Sequence, residues 1–452
     1  MKGYVIRFFA ILFSVLTALF MVACNEGESD SPSILNTLDE SFDTKGQVTT
    51  VMGDEQSKTQ RILIDNQDRI YAIGWYGNSP DSLAVARYSI DGVLDTTYAT
   101  DGKLITDFDG WKFKATDAEF DSSGKLIISG SGGDSLSVNN SISGSGFSIV
   151  AVNSDGSIDT SFDTDGLLTL DIGGTDKAFG IGILDLTDAI YVSGRSSQSG
   201  SDTVIIKLNA DGTQTNVTCG TNGIASFDFL ASATENIYDL VEIDDAVIVG
   251  GAVDDGTDVD FILARISSTG TEFPGFGSSG VTVLDFSDGE DWLEKLLITD
   301  SGASVIAVGL STLAGTSGES IAHNLVLAKF NVTDGSVDTS FGTDGKVSFD
   351  FQYSGEISQN QKTIDAVVDA NGKILVTGAN NLDNFGSMVV VRFNADGSVD
   401  SNFGDNGVLG VPMEIEAGVP RAIALQSTGR IILGGEKGAN LDRHFNLGRF
   451  IP

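Results

Sequence analysis

The sequence predicts an all-β fold, a seven-bladed β-propeller built from seven repeats of about 60 residues and closed by its N-terminal strand. Three observations predict it. The chain rewrites one phrase seven times, the segments between its turns read as strands, and its two ends complement each other.

The phrase is "DTSFGTDGKVSFDF" at Asp338–Phe351, rewritten as "DTTYATDGKLITDF" from Asp95 and "DTSFDTDGLLTLDI" from Asp159. Its internal glycine falls at Gly46, Gly102, Gly166, Gly223, Gly280, Gly345 and Gly407, giving spacings of 56, 64, 57, 57, 65 and 62 residues. A second phrase keeps the same beat: "RIYAIG", "KLIISG" and "KILVTG" end at Gly74, Gly130 and Gly378, with relatives ending at Gly194, Gly251, Gly309 and Gly435. A third phrase is "LAVARYSIDG", "LVLAKFNVTDG" or "MVVVRFNADG". The apolar runs are short, rich in β-branched residues and bounded by turn formers, as strands buried on both faces are. Junctions such as "DSSGK" and "DANGK" carry the Gly and Asn that tight hairpins require. Each unit therefore reads as four strands, A ("AVVDA"), B ("KILVTG"), C ("MVVVRF") and D ("KVSFDF").

Four-stranded units with both faces buried, in this number, describe propeller blades. The chain opens on a D phrase at Gly46–Met52 and closes just after a C phrase, "FNLGRFIP". The first D strand can complete the last sheet and leave no free edge. An open solenoid would need no such complementarity, and its turns are shorter than this unit.

Ahead of the repeats, "MKGYVIRFFAILFSVLTALFMVAC" has a basic start (Lys2, Arg7) and an apolar run too short for a spanning helix. It reads as an export signal over residues 1–23, and "MVAC" resembles the lipobox of bacterial lipoproteins, which implies acylation of Cys24. Residues 24–37 are polar and suit a flexible tether, and 38–452 form the propeller. With Cys24 acylated, Cys219 has no partner for an internal disulfide. The formal charge of −37 repels nucleic acid and anionic headgroups and favours cationic partners.

The run "LDTTYATDGKLITDF…FDSSGKLIISG…LAVARYSIDG" resembles the bacterial delta-60 repeat family, over nearly the whole chain beyond the tether. That resemblance implies repeat architecture and an exported context, and no activity. The fourth unit departs most: "DGTQTNVTCGTNG" puts Cys219 where others have Phe or Tyr, so Cys219 is expected in the core.

Comparing the copies with one another locates the divergent face. A–B turns and C–D connections are uniform, whereas the B–C and D–A loops vary in length, and propeller topology brings those two sets to one face. Trp75, Trp111 and Trp292 fall there as possible sugar or peptide platforms, or as packing for the loops. Asp109, Asp288, Glu290 and Asp291 fall there as possible ligand-binding or paired catalytic carboxylates. An Asp five residues past the phrase glycine recurs at Asp107, Asp171, Asp228, Asp285 and Asp350, and is expected to accept loop N–H groups and to pair with the strand-C cations Arg87, Lys207, Arg265, Lys329, Arg392 and Arg449; the alternative is a ring of acids around the axial opening that attracts cations. Calcium is the one ion the acids suggest, at "DTDG" (Asp163–Gly166) or "DDGTDVD" (Asp254–Asp260), though neither string fits the EF-hand pattern. No cofactor motif appears.

Catalysis lacks its usual apparatus: the two histidines, His323 in a long loop and His444 near the last strand, suggest neither triad nor metal site. The leading expectation is a non-enzymatic, lipid-anchored module of the cell envelope that binds a protein or glycan through its variable face. Two alternatives stand beside it, a carbohydrate-active enzyme on that face and an architectural part of an envelope assembly. Asn25 after the acylated cysteine favours the outer membrane, by resemblance to well-studied lipoproteins.

Overall fold

The structure, a computed structural model, describes residues 38–452 apart from 79–81, 134–145, 185–186, 198–201, 215–218, 232, 287–288, 313–322, 354–363, 381–386, 412–420 and 439–442. Cys24 and the stretches expected to be signal and tether lie outside the described residues. Seven four-stranded antiparallel sheets, each ordered A-B-C-D, form a seven-bladed β-propeller. Helix is confined, among the described residues, to single turns at Phe108–Gly110 and Asp300–Gly302.

The A strands line the axis: Ser57–Ile64, Lys112–Phe120, Asp176–Ile183, Thr234–Ile243, Asp291–Thr299, Ile364–Val368 and Ala422–Leu425. The ring closes as expected, because Gln47–Thr50 pairs antiparallel with His444–Phe450 and becomes the D strand of the seventh blade. An apolar cluster fills each junction between neighbouring blades. The one joining last to first contains Ala422, Ile432, Phe445 and Leu447 from one side and Ile62, Ile70, Ala84 and Tyr88 from the other. The other six junctions hold comparable clusters, so burial runs round the ring unbroken.

The repeated phrase builds the turn between strands C and D. The carboxylate of its Asp accepts the N–H and hydroxyl two residues on, as Asp338 does from Ser340 and Asp159 from Ser161. Its aromatic residue is wholly buried in six blades, at Phe42, Tyr98, Phe162, Phe276, Phe341 and Phe403. Cys219 occupies the equivalent place in the third blade, buried as expected. The phrase ends on a glycine at positive φ, for instance +86° at Gly345, where a side chain would be strained.

The second recurrent glycine, at the end of strand B, has a different cause. Five of the A strands carry a bulge at one level, at Gln60, Thr116, Phe179, Tyr238 and Glu294. Beside each bulge the A-strand carbonyl presses on the glycine. A Cβ would sit 1.8 Å from the Lys58 oxygen at Gly74 and 2.1 Å from the Trp292 oxygen at Gly309. Only glycine fits there.

The strand-C cations pair otherwise than expected. Arg87 meets Asp95 at 2.8 Å, Arg392 meets Asp400 at 2.8 Å and Arg449 meets Asp39 at 3.0 Å, so the partner is the first Asp of the phrase. The guanidinium also lies over the phrase aromatic, 4.6 Å from the Tyr98 ring for Arg87 and 4.2 Å from Phe403 for Arg392. The reason is strand direction: the cation sits where strand C ends, whereas Asp107 and its relatives sit at the far end of strand D. Of that acid series Asp171 accepts a loop N–H as expected, from Gly173 at 2.8 Å.

Candidate functional site

The B–C and D–A loops share one face, and the first residues of every A strand open onto it. The sequence-selected residues fare unequally there. Trp75 lies within strand B and is 5% exposed, with the Lys58 ammonium 5.2 Å from its ring. Trp292 is the second residue of an A strand, 4% exposed and packed with Phe179, Tyr238, Ala252 and Val259. Neither offers an open platform, because both occupy regular strand positions between blades rather than loop tips. Trp111 remains half-buried at the rim, its Nε1 donating to Ser148 Oγ at 3.1 Å.

Asp291 is fully buried, and its carboxylate accepts the Phe286 N–H at 2.6 Å. Asp176 and Glu235 do the same for Ile172 and Leu230 at the start of their own blades. These acids fasten the D–A loops. Burial pushes the Asp291 carboxyl up to about 7, with Asp285 and Asp260 adding repulsion. Glu290 is exposed, Asp109 lies in the Phe108–Gly110 turn, and Asp288 falls outside the described residues. His323, expected in a loop, opens a strand and is 3% exposed.

Of the two calcium strings, the second comes together. Asp258 and Asp260 meet Asp285, with one oxygen from each inside 4.8 Å of the others, the one such trio among the described residues. Burial and the neighbouring acids push Asp260 up to about 6. The Lys346 ammonium donates to the Asp285 carbonyl beside them and answers part of this charge.

The charges on the axis come from the A strands, not from the recurrent acid that follows strand D. One residue past the bulge, successive A strands carry Arg61, Asp117, Gly180, Asp239, Lys295 and, at the matching register, Asp365. Arg61 bridges Asp117 at 3.2 Å and Asp365 at 3.2 Å, and Lys295 meets Asp239 at 2.9 Å. Asp365 and Asp239 also accept the Ile423 and Leu296 N–H groups. Although burial disfavours both cations, Asp365 and Asp117 hold Arg61 charged and Asp239 does so for Lys295. This lattice ties blades together across the channel. Below it, Glu119 accepts the Ile183 N–H at 3.1 Å, and Glu242 Oε1 lies 1.5 Å from where a Gly182 Cβ would be. Burial and then Glu242 push the Glu119 carboxyl well above the usual range.

Above the lattice, at the mouth on the variable face, the charge reverses. Lys58, Lys114 and Lys177 stand at one level of the first three A strands, each beside the strand-B glycine of its blade. Arg421 of the seventh blade joins them, paired to Glu436 at 2.9 Å. Glu436 is 2% exposed and already holds Arg443 at 3.1 Å, with Lys58 at 4.0 Å. Burial, then repulsion from Arg421, Lys177 and Lys58, lowers Lys114 to about 8. The pattern was hidden in the sequence because these cations are 56 and 63 residues apart and the bulge sets which side chains share a level.

Residues 370–403, from the A–B hairpin of the sixth blade to its phrase aromatic, match the family described as "Domain of unknown function (DUF5122) beta-propeller". No curated protein matches the chain. Among solved structures it is similar to a protein of unknown function from Dyadobacter fermentans, at 11% identity, covering 75% of this chain and 96% of that one with a TM-score of 0.47. It is also similar to an ulvan lyase of polysaccharide lyase family PL25, at 14% identity, 88% and 95% coverage and a TM-score of 0.44. The α-L-arabinofuranosidase of Fusarium graminearum aligns at 9% identity, 88% and 98% coverage and a TM-score of 0.44. Likeness at this level assigns no activity.

Proposed function

We propose that the chain is a lipid-anchored module of the bacterial cell envelope, outer-membrane in location, whose propeller binds a protein or glycan without turning it over. One observation carries the reading. On the variable face the equivalent A-strand positions hold Lys58, Lys114, Lys177, Asn236 and Trp292, whereas the phrase turns of the opposite face repeat nearly unchanged. A rigid ring that keeps one face constant and diversifies the other is organised for recognition.

Site-specific photo-crosslinking in intact cells tests it. One benzoylphenylalanine probe replaces Trp111 at the variable rim, and a control probe replaces the exposed Ser398 in a phrase turn. A discrete adduct from the first position alone is expected. Adducts from Ser398 alone would sink the assignment and favour an architectural part in an envelope assembly. A catalytic reading finds its acids away from the variable face, in Glu119 and Glu242 at the other end of the A strands, and predicts polysaccharide turnover abolished by Glu119→Gln.

A further inference from the structure

We infer that the axial mouth on the variable face is an anion site, and that its occupant is an acidic glycan whose uronate or sulfate group seats on Lys114. The inference rests on the binding-module reading and names the ligand class for that face. In a chain of formal charge −37, three lysines from successive blades share one level around the axis, and Arg421 of a fourth blade acts on them from beside it. Nothing in the repeat requires this, since Asn236 and Trp292 fill the same position in the next two blades.

One buried acid answers part of the charge there, away from Lys114. Glu436, nearly inaccessible, is committed to Arg421 and Arg443 and is shared with Lys58. Lys114 has no carboxylate or hydrogen-bond acceptor among the described residues, and its neighbours Arg421, Lys177 and Lys58 all repel it. A half-buried ammonium kept among cations is an arrangement that an incoming anion relieves.

The low exposure of these cations selects the kind of anion. The Lys58 side chain is 20% exposed and the Arg421 side chain 12%, so these cations lie back from the rim. A folded partner would have to reach them with a single side chain, whereas a sugar chain can present a charged ring directly. The ionic lattice of Arg61, Asp117 and Asp365 lies deeper on the axis, so acidic sugar meets carboxylates if it passes the lysines. The mouth therefore holds the anion at its entrance.

Titration calorimetry on the full-length protein in detergent tests this at pH 7. The probes are trigalacturonate, a sulfated galactan tetramer, neutral cellotriose, sodium sulfate and a hexaglutamate peptide. Binding of either acidic oligosaccharide is expected, weakened at least tenfold by Lys114→Met, unchanged by Lys45→Met on the opposite face, and absent with cellotriose. A second variant, Lys177→Met, guards against a folding defect, which a urea transition would reveal. Three results overturn the inference: no heat from either acidic oligosaccharide, binding indifferent to both mouth variants, or a Lys114-dependent response to sulfate or hexaglutamate that the sugars do not exceed. If these occur while Trp111 still crosslinks, only the ligand class fails. Crosslinking confined to Ser398 removes the binding face itself.

Discussion

Lys114 and Asp291 show how burial of single residues on this face disfavours their charged forms and makes stability depend on pH. The folded state lowers Lys114 to about 8 from an ordinary value of 10.5, because burial and Arg421, Lys177 and Lys58 disfavour its charged form. The folded protein then binds fewer protons than the unfolded one between those values, so this contribution to stability improves as pH rises from about 8 to 10.5. At pH 7 the penalty is fully present, and Lys114→Met is expected to raise stability by about 1 kcal/mol in urea unfolding while weakening anion binding. Asp291 has the opposite sign. Its folded carboxyl stays protonated up to about 7, whereas the unfolded one ionises near 4, so stability falls as pH climbs through that window. Asp291→Asn keeps an oxygen for the Phe286 N–H and cannot ionise. It should flatten the wild-type decline in melting temperature between pH 4 and 7, and an unchanged slope would place the decline on Asp260 instead. In the sequence Asp291 stood as a candidate ligand contact, and Lys114 drew no reading. Their burial follows from strand position, which no local pattern at Asp291 or Lys114 announces.

At the scale of elements, the bulges separate what was legible from what was not. Strand identity, order and hairpin turns followed from apolar runs between Gly, Asn and Asp, and Cys219 followed from its place in the phrase. The A strands resisted, because a bulge adds one residue and changes which side chains point to the axis. Five such bulges place Arg61, Asp117, Asp239 and Lys295 on one level, a ring of charges that period-two alternation cannot predict. Yet the bulges leave a trace in the sequence, the glycine closing strand B, which was visible without its reason. Gly309→Ala would drive a methyl to 2.1 Å from the Trp292 carbonyl and 2.5 Å from the Phe261 ring. A loss of about 1–3 kcal/mol is expected in urea unfolding. A neutral result would mean that the bulge in Asp291–Thr299 relaxes, and the level of Lys295 with it.

The whole molecule sets a long-range field against a local one. A formal charge of −37 surrounds a ring whose axial mouth is basic, so an acidic sugar is repelled at a distance and attracted on contact. Salt separates the two effects. The Debye length is about 30 Å at 0.01 M and about 10 Å at 0.1 M, so modest salt removes the distant repulsion first. Contacts with the recessed Lys58, Lys114 and Arg421 are screened less until salt is higher. Affinity for trigalacturonate is therefore expected to rise from about 10 to 100 mM NaCl and to fall again toward 1 M. Stability should behave differently, because self-repulsion of the acidic ring only weakens as salt increases, and melting temperature should climb across the same series. In Lys114→Met the affinity maximum should flatten while the rise in melting temperature persists. A wild-type affinity that declines steadily from the lowest salt would show that the acidic surface does not reach the mouth, and that the basic residues alone govern approach to the axis.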